Sequence, residues 1–218
     1  MTNIATETVP MTDRTRVRRL AERGHYETAT IYAILDEALI CHVGFVVDER
    51  PVVIPTIHWR EGNMLYFHGS AASRMLRSLR DGVDACVTVT LLDGLVLARS
   101  AFHHSMNYRS VVVFGKAQPV PEEDKVRVLE SLVEHVVRGR SKEIREPNLK
   151  ELRQTLVLAL PIDEASAKIR TGGPVDDEED YALPVWAGVL PLTLTPGDAI
   201  ADRGVTAEVP QYVKAYAR

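Results

Sequence analysis

Apolar and polar residues alternate with a period of two over several stretches of this chain, and the alternation stops at clusters rich in Gly, Asp, Asn and Glu. That pattern predicts half-buried strands separated by turns. Residues 40–47, Ile-Cys-His-Val-Gly-Phe-Val-Val, and residues 52–59 read as two strands joined by Asp48-Glu49-Arg50. Arg60-Glu61-Gly62-Asn63 follows as a short hairpin loop, with Gly62 where a positive φ is required. In the third strand, over 64–68, Leu65 and Phe67 fall on one face and Tyr66 and His68 on the other. Asp81-Gly82 and Asp93-Gly94 read as turns, bounding strands over 85–92 and 95–101, and residues 108–117 make a sixth strand. Six candidate strands with one helix between them predict a mainly β fold with helices, closed or nearly closed into a barrel.

The helical pattern is sparser. Residues 27–39 place Ile31, Ile34, Leu35 and Ala38 on one face. Residues 70–80 predict a basic helix capped by Ser70, with Met75, Leu76 and Leu79 inward and Arg74, Arg77 and Arg80 in solvent. A third helix opens at Pro121-Glu122-Glu123-Asp124, carries an apolar stripe of Val126, Leu129, Leu132, Val133 and Val136, and ends at Gly139. Residues 140–153 read as a polar connection, 155–160 as a buried strand, and 165–170 as a further ordered segment. The acidic run 176–180 reads as a solvated loop, since it lacks the alternating ligands and glycine turn of an EF-hand. Residues 183–192 are apolar and bounded by prolines, suited to packing on the barrel or on a partner. Residues 12–22, with Arg14, Arg16, Arg18 and Arg19 beside Val17 and Leu20, read as a solvated helix, or alternatively as a basic arm. The expected organisation is a flexible tail over 1–13, one domain over 14–192 and a C-terminal extension over 193–218.

Composition narrows the function classes. At 218 residues with 45% hydrophobic residues and a formal charge of −4, the chain has the balance of an ordinary globular protein without a bias toward nucleic acid. Its apolar runs, near 111–114 and 156–162, fall far short of the roughly 20 residues that span a bilayer, so no membrane partner is expected. The first ten residues show no basic start followed by an apolar run, so a cytoplasmic location is expected. Cys41 and Cys86 read as free thiols. Gly-x-Ser-x-Gly, Gly-x-x-x-x-Gly-Lys and Gly-x-Gly-x-x-Gly motifs are missing, and the histidines and cysteines have no metal-site spacing. No metal is expected.

One junction carries chemistry. A strand that runs into the first turn of a basic helix offers free N–H groups to an anion, and Ser73 and Arg74 add a hydroxyl and a cation. Thr56 and His58 on one strand, His68 on the next, and Arg109 and Ser110 on a later one are polar residues that together could line a groove ending at that cap. Such a groove suits a flat ring carrying a phosphate. Each residue alone reads equally well as an ordinary satisfied polar group, and the helix as an ordinary capped surface helix.

Three segments taken together resemble a known family: Ile54-Pro55-Thr56-Ile57-His58-Trp59; Leu65-Tyr66-Phe67-His68-Gly69-Ser70 with Ser73-Arg74; and Tyr108-Arg109-Ser110 through Ala117. They look like the pyridoxamine 5′-phosphate oxidase-like flavin-nucleotide-binding proteins, in the branch related to nitroimidazole-resistance proteins, over roughly residues 14–192. The resemblance implies a split β-barrel homodimer with FMN at the subunit interface. Pro55, Thr56, Ile57 and His58 would border the isoalloxazine edge and offer backbone hydrogen bonds. His68, Gly69 and Ser70 would lie near the ring and ribityl chain, and Ser73 and Arg74 at the phosphate. Arg109 and Ser110 would complete the groove, with Trp186 contributing an aromatic near the flavin. His68 is the candidate for reactivity.

The implied activity is FMN-dependent oxidoreduction of a small molecule, with NAD(P)H as a candidate electron donor. Residues 183–218 lack the tryptophan- and arginine-rich ending of true pyridoxamine phosphate oxidases, so oxidation of vitamin B6 itself is not expected. The alternatives are a flavin carrier or resistance protein without turnover, and a barrel of this superfamily holding haem or a deazaflavin.

Overall fold

The computed structural model describes residues 7–217. The strands are β1 (Gly24–His25), β2 (Ile40–Val47), β3 (Arg50–Ile57), β4 (Trp59–Glu61), β5 (Met64–Ser70), β6 (Ala85–Leu97), β7 (Ser105–Gly115), β8 (Gln118–Pro119), β9 (Thr155–Pro161), β10 (Ala165–Arg170) and β11 (Gly188–Pro191). The helices are α1 (Thr28–Glu37), α2 (Arg74–Arg80), α3 (Lys125–Val136), α4 (Leu149–Gln154) and α5 (Gln211–Lys214). One sheet runs β1-β10-β7-β6-β2-β3 with β11 added to β6, and a second runs β4-β5-β9-β8. All pairings are antiparallel.

The two sheets curl around one apolar core, the split barrel that the alternation and the resemblance predict. The first sheet turns Val43, Phe45, Val87, Val89, Val111 and Val113 inward. Leu65, Phe67, Leu158 and Leu160 meet them from the second, and α1 plugs the space with Ile31, Ile34 and Leu35. A smaller core lies on the other side of the second sheet, where Trp59, Tyr66 and Val157 pack against Val128 and Leu132 of α3. The opposite sides of β5 thus serve two cores, and its period-two pattern is apolar on both. β3 forms one edge of the larger sheet, with prolines at 51 and 55.

Several local expectations change. Asp93-Gly94 is not a turn, because β6 runs through it and shifts register against β7 between Leu92 and Gly94. The glycine is needed for close approach: a Cβ there would sit 3.0 Å from the Leu190 carbonyl oxygen of β11. Residues 12–22 form no α-helix; apart from a 3₁₀ turn at Ala21–Arg23, they cross the sheet as an irregular arm. The tail expected to be flexible over 1–13 is docked within its described part, since Thr8 bridges to Glu27 and Val9 is buried; residues 1–6 lie outside the described residues. The connection 140–153 contains α4, capped by Asn148, whose side chain accepts from the Lys150 and Glu151 N–H groups, while Glu151 returns a bond to the Asn148 N–H. The acidic run is not wholly solvated. Asp176 is buried and its carboxylate accepts from the Arg99 N–H at 3.0 Å and from Arg99 Nη1 at 2.9 Å.

The stripe of α3 is also shifted. Lys125, Val128 and Leu132 are its buried residues, and the Lys125 ammonium donates to Glu122 Oε1 at 2.7 Å and to the Leu152 carbonyl at 3.2 Å. No helix among the described residues is long and apolar enough to cross a membrane, and no cluster of His, Cys, Asp and Glu there could hold a metal ion.

Candidate functional site

β5 delivers the strand-to-helix junction, and its cap differs from the expected one. The Ser70 hydroxyl accepts from the Ala72 N–H at 3.2 Å and closes a tight turn. Ser73 is the N-cap of α2, its Oγ accepting from the Leu76 N–H at 3.5 Å. Ala71 donates its N–H to the carbonyl of Gln154, the last residue of α4 just before β9, and the helix starts at residue 74. The first-turn N–H groups of Arg74 and Met75 have no acceptor inside the helix. Arg74 is exposed and, among the described residues, makes no ion pair, whereas Arg80 is paired with Asp81. Gly69 lets β5 approach the helix, since a Cβ there would lie 3.2 Å from Leu76 Cδ1. His68 to Arg74 therefore stay together as a polar loop with one free cation.

His68 is half-buried, on the same side of β5 as Tyr66, with its ring edge toward Trp59 at 5.8 Å between centroids. Its Nδ1 is buried and has no hydrogen-bond partner. Burial pushes its pKa below the ordinary histidine value, so the imidazole is neutral near pH 7. The folded state resists protonating His68 while the unfolded chain takes up a proton near its unperturbed pKa of about 6.5. Stability should therefore fall as the pH drops through that value. Thermal midpoints between pH 7.5 and 5.5 are expected to decline less steeply in His68→Gln than in the wild type; parallel profiles would show that His68 does not contribute.

The strand 55–58 splits by function. His42 lies opposite Pro55 on one side and Thr88 on the other, and Thr88 opposite Val112, which lies opposite Ser166; these residues share the outer face of the larger sheet. Pro55 has no N–H, so it offers that face only a carbonyl. Thr56 points to the other side, opposite Cys41. β3 ends at Ile57, so His58 does not continue its face: it is fully buried at the corner into β4, with Nε2 3.0 Å from the Leu35 carbonyl oxygen. It is held as part of the core.

Arg109 and Ser110 likewise separate. Ser110 is on the outer face opposite Thr90 and Lys168. Arg109 lies opposite Leu91 and Ile169, which pack on the barrel core, and its guanidinium is committed to Asp93 at 2.8 Å and to Glu37 Oε1 at 2.8 Å. Both carboxylates raise its pKa further and keep it charged. Arg109 thus ties α1 to the β6 bulge. Trp186 is 67% exposed and folds back over Gly188 at the start of β11. The structure brings His68, Gly69, Ser70, Ser73 and Arg74 into one loop and places Pro55 and Ser110 on one face; it does not bring Thr56, His58, Arg109 or Trp186 to either.

Gly44 lies between Val53 and Cys86, and Cys86 opposite Phe114, while the next row holds His42, Thr88 and Val112, so the small residues Gly44, Cys86 and Thr88 sit flanked by Phe114 and His42. Ile40, Val46 and Val53 on the same face are 58%, 54% and 63% exposed and make an apolar rim.

Comparison with known proteins matches this architecture. The pyridoxamine 5′-phosphate oxidase family profile covers residues 27–169. The flavocytochrome Anf3 from Azotobacter vinelandii is 41% identical, with a TM-score of 0.88 over 93% of this chain and 96% of that one. The FAD and heme binding protein from Mycobacterium smegmatis is 38% identical, with a TM-score of 0.86 over 88% of this chain and 96% of that one. A protein from Bacteroides thetaiotaomicron described as a 5-nitroimidazole antibiotic resistance protein shares the fold at 24% identity and a TM-score of 0.55, over 67% of this chain and 86% of that one. A search of curated protein sequences returned no match. The profile match over most of the chain and the two end-to-end relatives identify this chain as a member of the pyridoxamine 5′-phosphate oxidase family.

Proposed function

We propose that the protein is a redox protein that binds a flavin and a haem and works as a homodimer. The observation that carries this reading is end-to-end similarity, at 41% and 38% identity, to one protein described as a flavocytochrome and another described as binding FAD and heme. The wider resemblance implied FMN; the Mycobacterium smegmatis protein's name favours FAD.

The residues present fit both groups. The first-turn N–H groups of α2, the Ser73 hydroxyl and the Arg74 guanidinium, which has no ion pair among the described residues, would hold a flavin phosphate. The small residues Gly44, Cys86 and Thr88 would give a ring access to the outer face between Phe114 and His42, and the exposed Ile40, Val46 and Val53 side chains would suit a second protomer. A haem iron would be held by a neutral imidazole nitrogen. His68 would supply one, with a buried nitrogen not engaged elsewhere and a pKa held low by burial. His58 is the weaker candidate because the Leu35 carbonyl holds its Nε2.

The bound groups would supply electron transfer to and from a small substrate, with NAD(P)H as a candidate donor, while the protein supplies position and electrostatics. Arg74 neutralises phosphate charge, His68 remains unprotonated, and the apolar rim excludes water from the face it covers.

The purified protein should show flavin absorption together with a Soret band and elute at the size of a dimer; mass spectrometry of the released ligands names them. His68→Ala should lose the Soret band and keep the flavin. Arg74→Ser should weaken flavin binding by about 10- to 100-fold, the worth of one charge-assisted phosphate contact. A protein that acquires neither band on reconstitution defeats the reading.

A further inference from the structure

The arm over residues 14–19 lies across the outer face of β7 and β10 and is fastened along its length. Thr12 and Arg14 both donate to the Glu164 carboxylate, with Arg14 Nε at 3.1 Å. The Val17 N–H donates to Tyr26 Oη at 2.9 Å, and the Arg19 carbonyl accepts from Lys168 Nζ at 3.4 Å. Gly24 makes room for this seat, since a Cβ there would lie 2.9 Å from Val17 Cβ.

Arm and sheet border a half-open cleft of about 250 Å³ whose apolar part is Val17, Val112 and Phe114. Arg14, Arg16, Arg18, Arg19 and Lys168 line it together with the hydroxyl residues Thr15, Ser110 and Ser166, and no carboxylate does. Arg14 is neutralised by Glu164. Arg18 has only Asp13 at 3.9 Å, with both side chains largely in water, and Arg16 and Arg19 make no ion pair among the described residues. Like charges gathered in a cleft of a chain whose net charge is −4 repel one another and create a strong local field for an anion.

Guanidinium forks and hydroxyls are the donor set that matches phosphate oxygens, and several forks match more than one phosphate. The cleft is smaller than the roughly 300–1,000 Å³ of a site for a whole drug-sized ligand, so it suits a segment of a larger molecule. Ser110 belongs to the cleft and also to the outer face that runs through Thr88 and His42 to Pro55.

We propose that this cleft binds the nucleoside diphosphate portion of a dinucleotide. Its position beside a flavin rests on the functional reading above, but its chemistry does not. FAD and NAD(P)H both carry such a portion, and FMN does not.

The test is calorimetric titration of the full-length protein, freed of bound cofactors, with ADP, FMN, FAD and NADPH, in the wild type and in Arg16→Ser/Arg19→Ser. Both side chains project from an exposed arm, so the variant should keep its circular dichroism and thermal midpoint. ADP should bind the wild type and weaken at high salt. The variant should bind ADP and one dinucleotide about 10- to 100-fold more weakly and FMN unchanged; whether FAD or NADPH suffers the loss identifies the source. No ADP binding to the wild type, unchanged affinities in the variant, or equal losses for FMN and FAD would each overturn the proposal. Tighter binding of a short RNA than of ADP would overturn it in favour of nucleic acid. ADP binding that is lost in the variant, in a protein that takes up no flavin, would leave the cleft standing and defeat the flavin reading alone.

Discussion

Trp59→Ala should lower the free energy of unfolding by about 3–5 kcal/mol, the usual cost of removing a large aromatic from a packed interior. Trp59 is fully buried where the chain passes from one sheet to the other. It stacks on Tyr66 at 5.5 Å with an interplanar angle of 18°, and together they form the floor on which Val128 and Leu132 of α3 rest. Deleting the indole opens a void that the strands on either side cannot collapse to fill. Its Nε1, however, is buried without a hydrogen-bond partner. Trp59→Phe should therefore cost much less than the alanine change, because it removes an unsatisfied donor and keeps most of the apolar area. Urea titration followed by circular dichroism measures both. A loss below about 1 kcal/mol for the alanine variant would mean that α3 does not depend on this floor.

Arg109→Met should cost about 2–3 kcal/mol and leave flavin affinity unchanged within a few-fold, the cost reduced from that of a fully buried pair because the side chain is 30% exposed. The guanidinium links Glu37 at the end of α1 with Asp93 in the β6 bulge. Without it two carboxylates converge with no cation between them, and methionine cannot replace the fork. Family resemblance alone places this residue in the flavin groove, where its loss would weaken binding and spare stability. Thermal melts and flavin titrations on the same variant separate the two roles, since only a groove residue would lose affinity with an unchanged melting midpoint.

Much of the fold is legible from the pattern alone because strands that bury one or both faces must write their period into the sequence. Ile40 to Val47 and the helix over residues 28–37 stand almost where the periodicity puts them. Asp93-Gly94 misleads because the same dipeptide serves a hairpin turn or a bulge, and the choice depends on β11, which arrives almost a hundred residues later. Residues 12–22 mislead because arginine and leucine favour a helix in isolation, while the outer sheet face and the hydroxyl of Tyr26 hold the arm in another form. Asn148 followed three residues later by Glu151 is a capping-box signal for α4 that stands in the sequence itself.

The candidate site divides along the same line. His68 to Arg74 are contiguous, so their meeting is guaranteed by the chain. Arg109 and Ser110 are adjacent too, yet adjacency on a strand sends them to opposite faces, and only the register against β6 and β10 shows which one reaches the outer surface. His58 breaks parity because the chain turns a corner at that residue.

The prolines of β3 have a meaning for the protein's life before it finds a cofactor or a partner. An edge strand is a template onto which another chain can add, and the row of exposed N–H groups is what recruits it. Pro51 and Pro55 delete two donors from an eight-residue edge, and Arg50 places a charge at its end. The rim beside that edge is apolar enough to draw another molecule in. Side-chain contact across that face stays open, while the missing donors oppose growth of a continuous β-stack along the border, so the edge is guarded against seeding a fibre even where the face beside it is apolar.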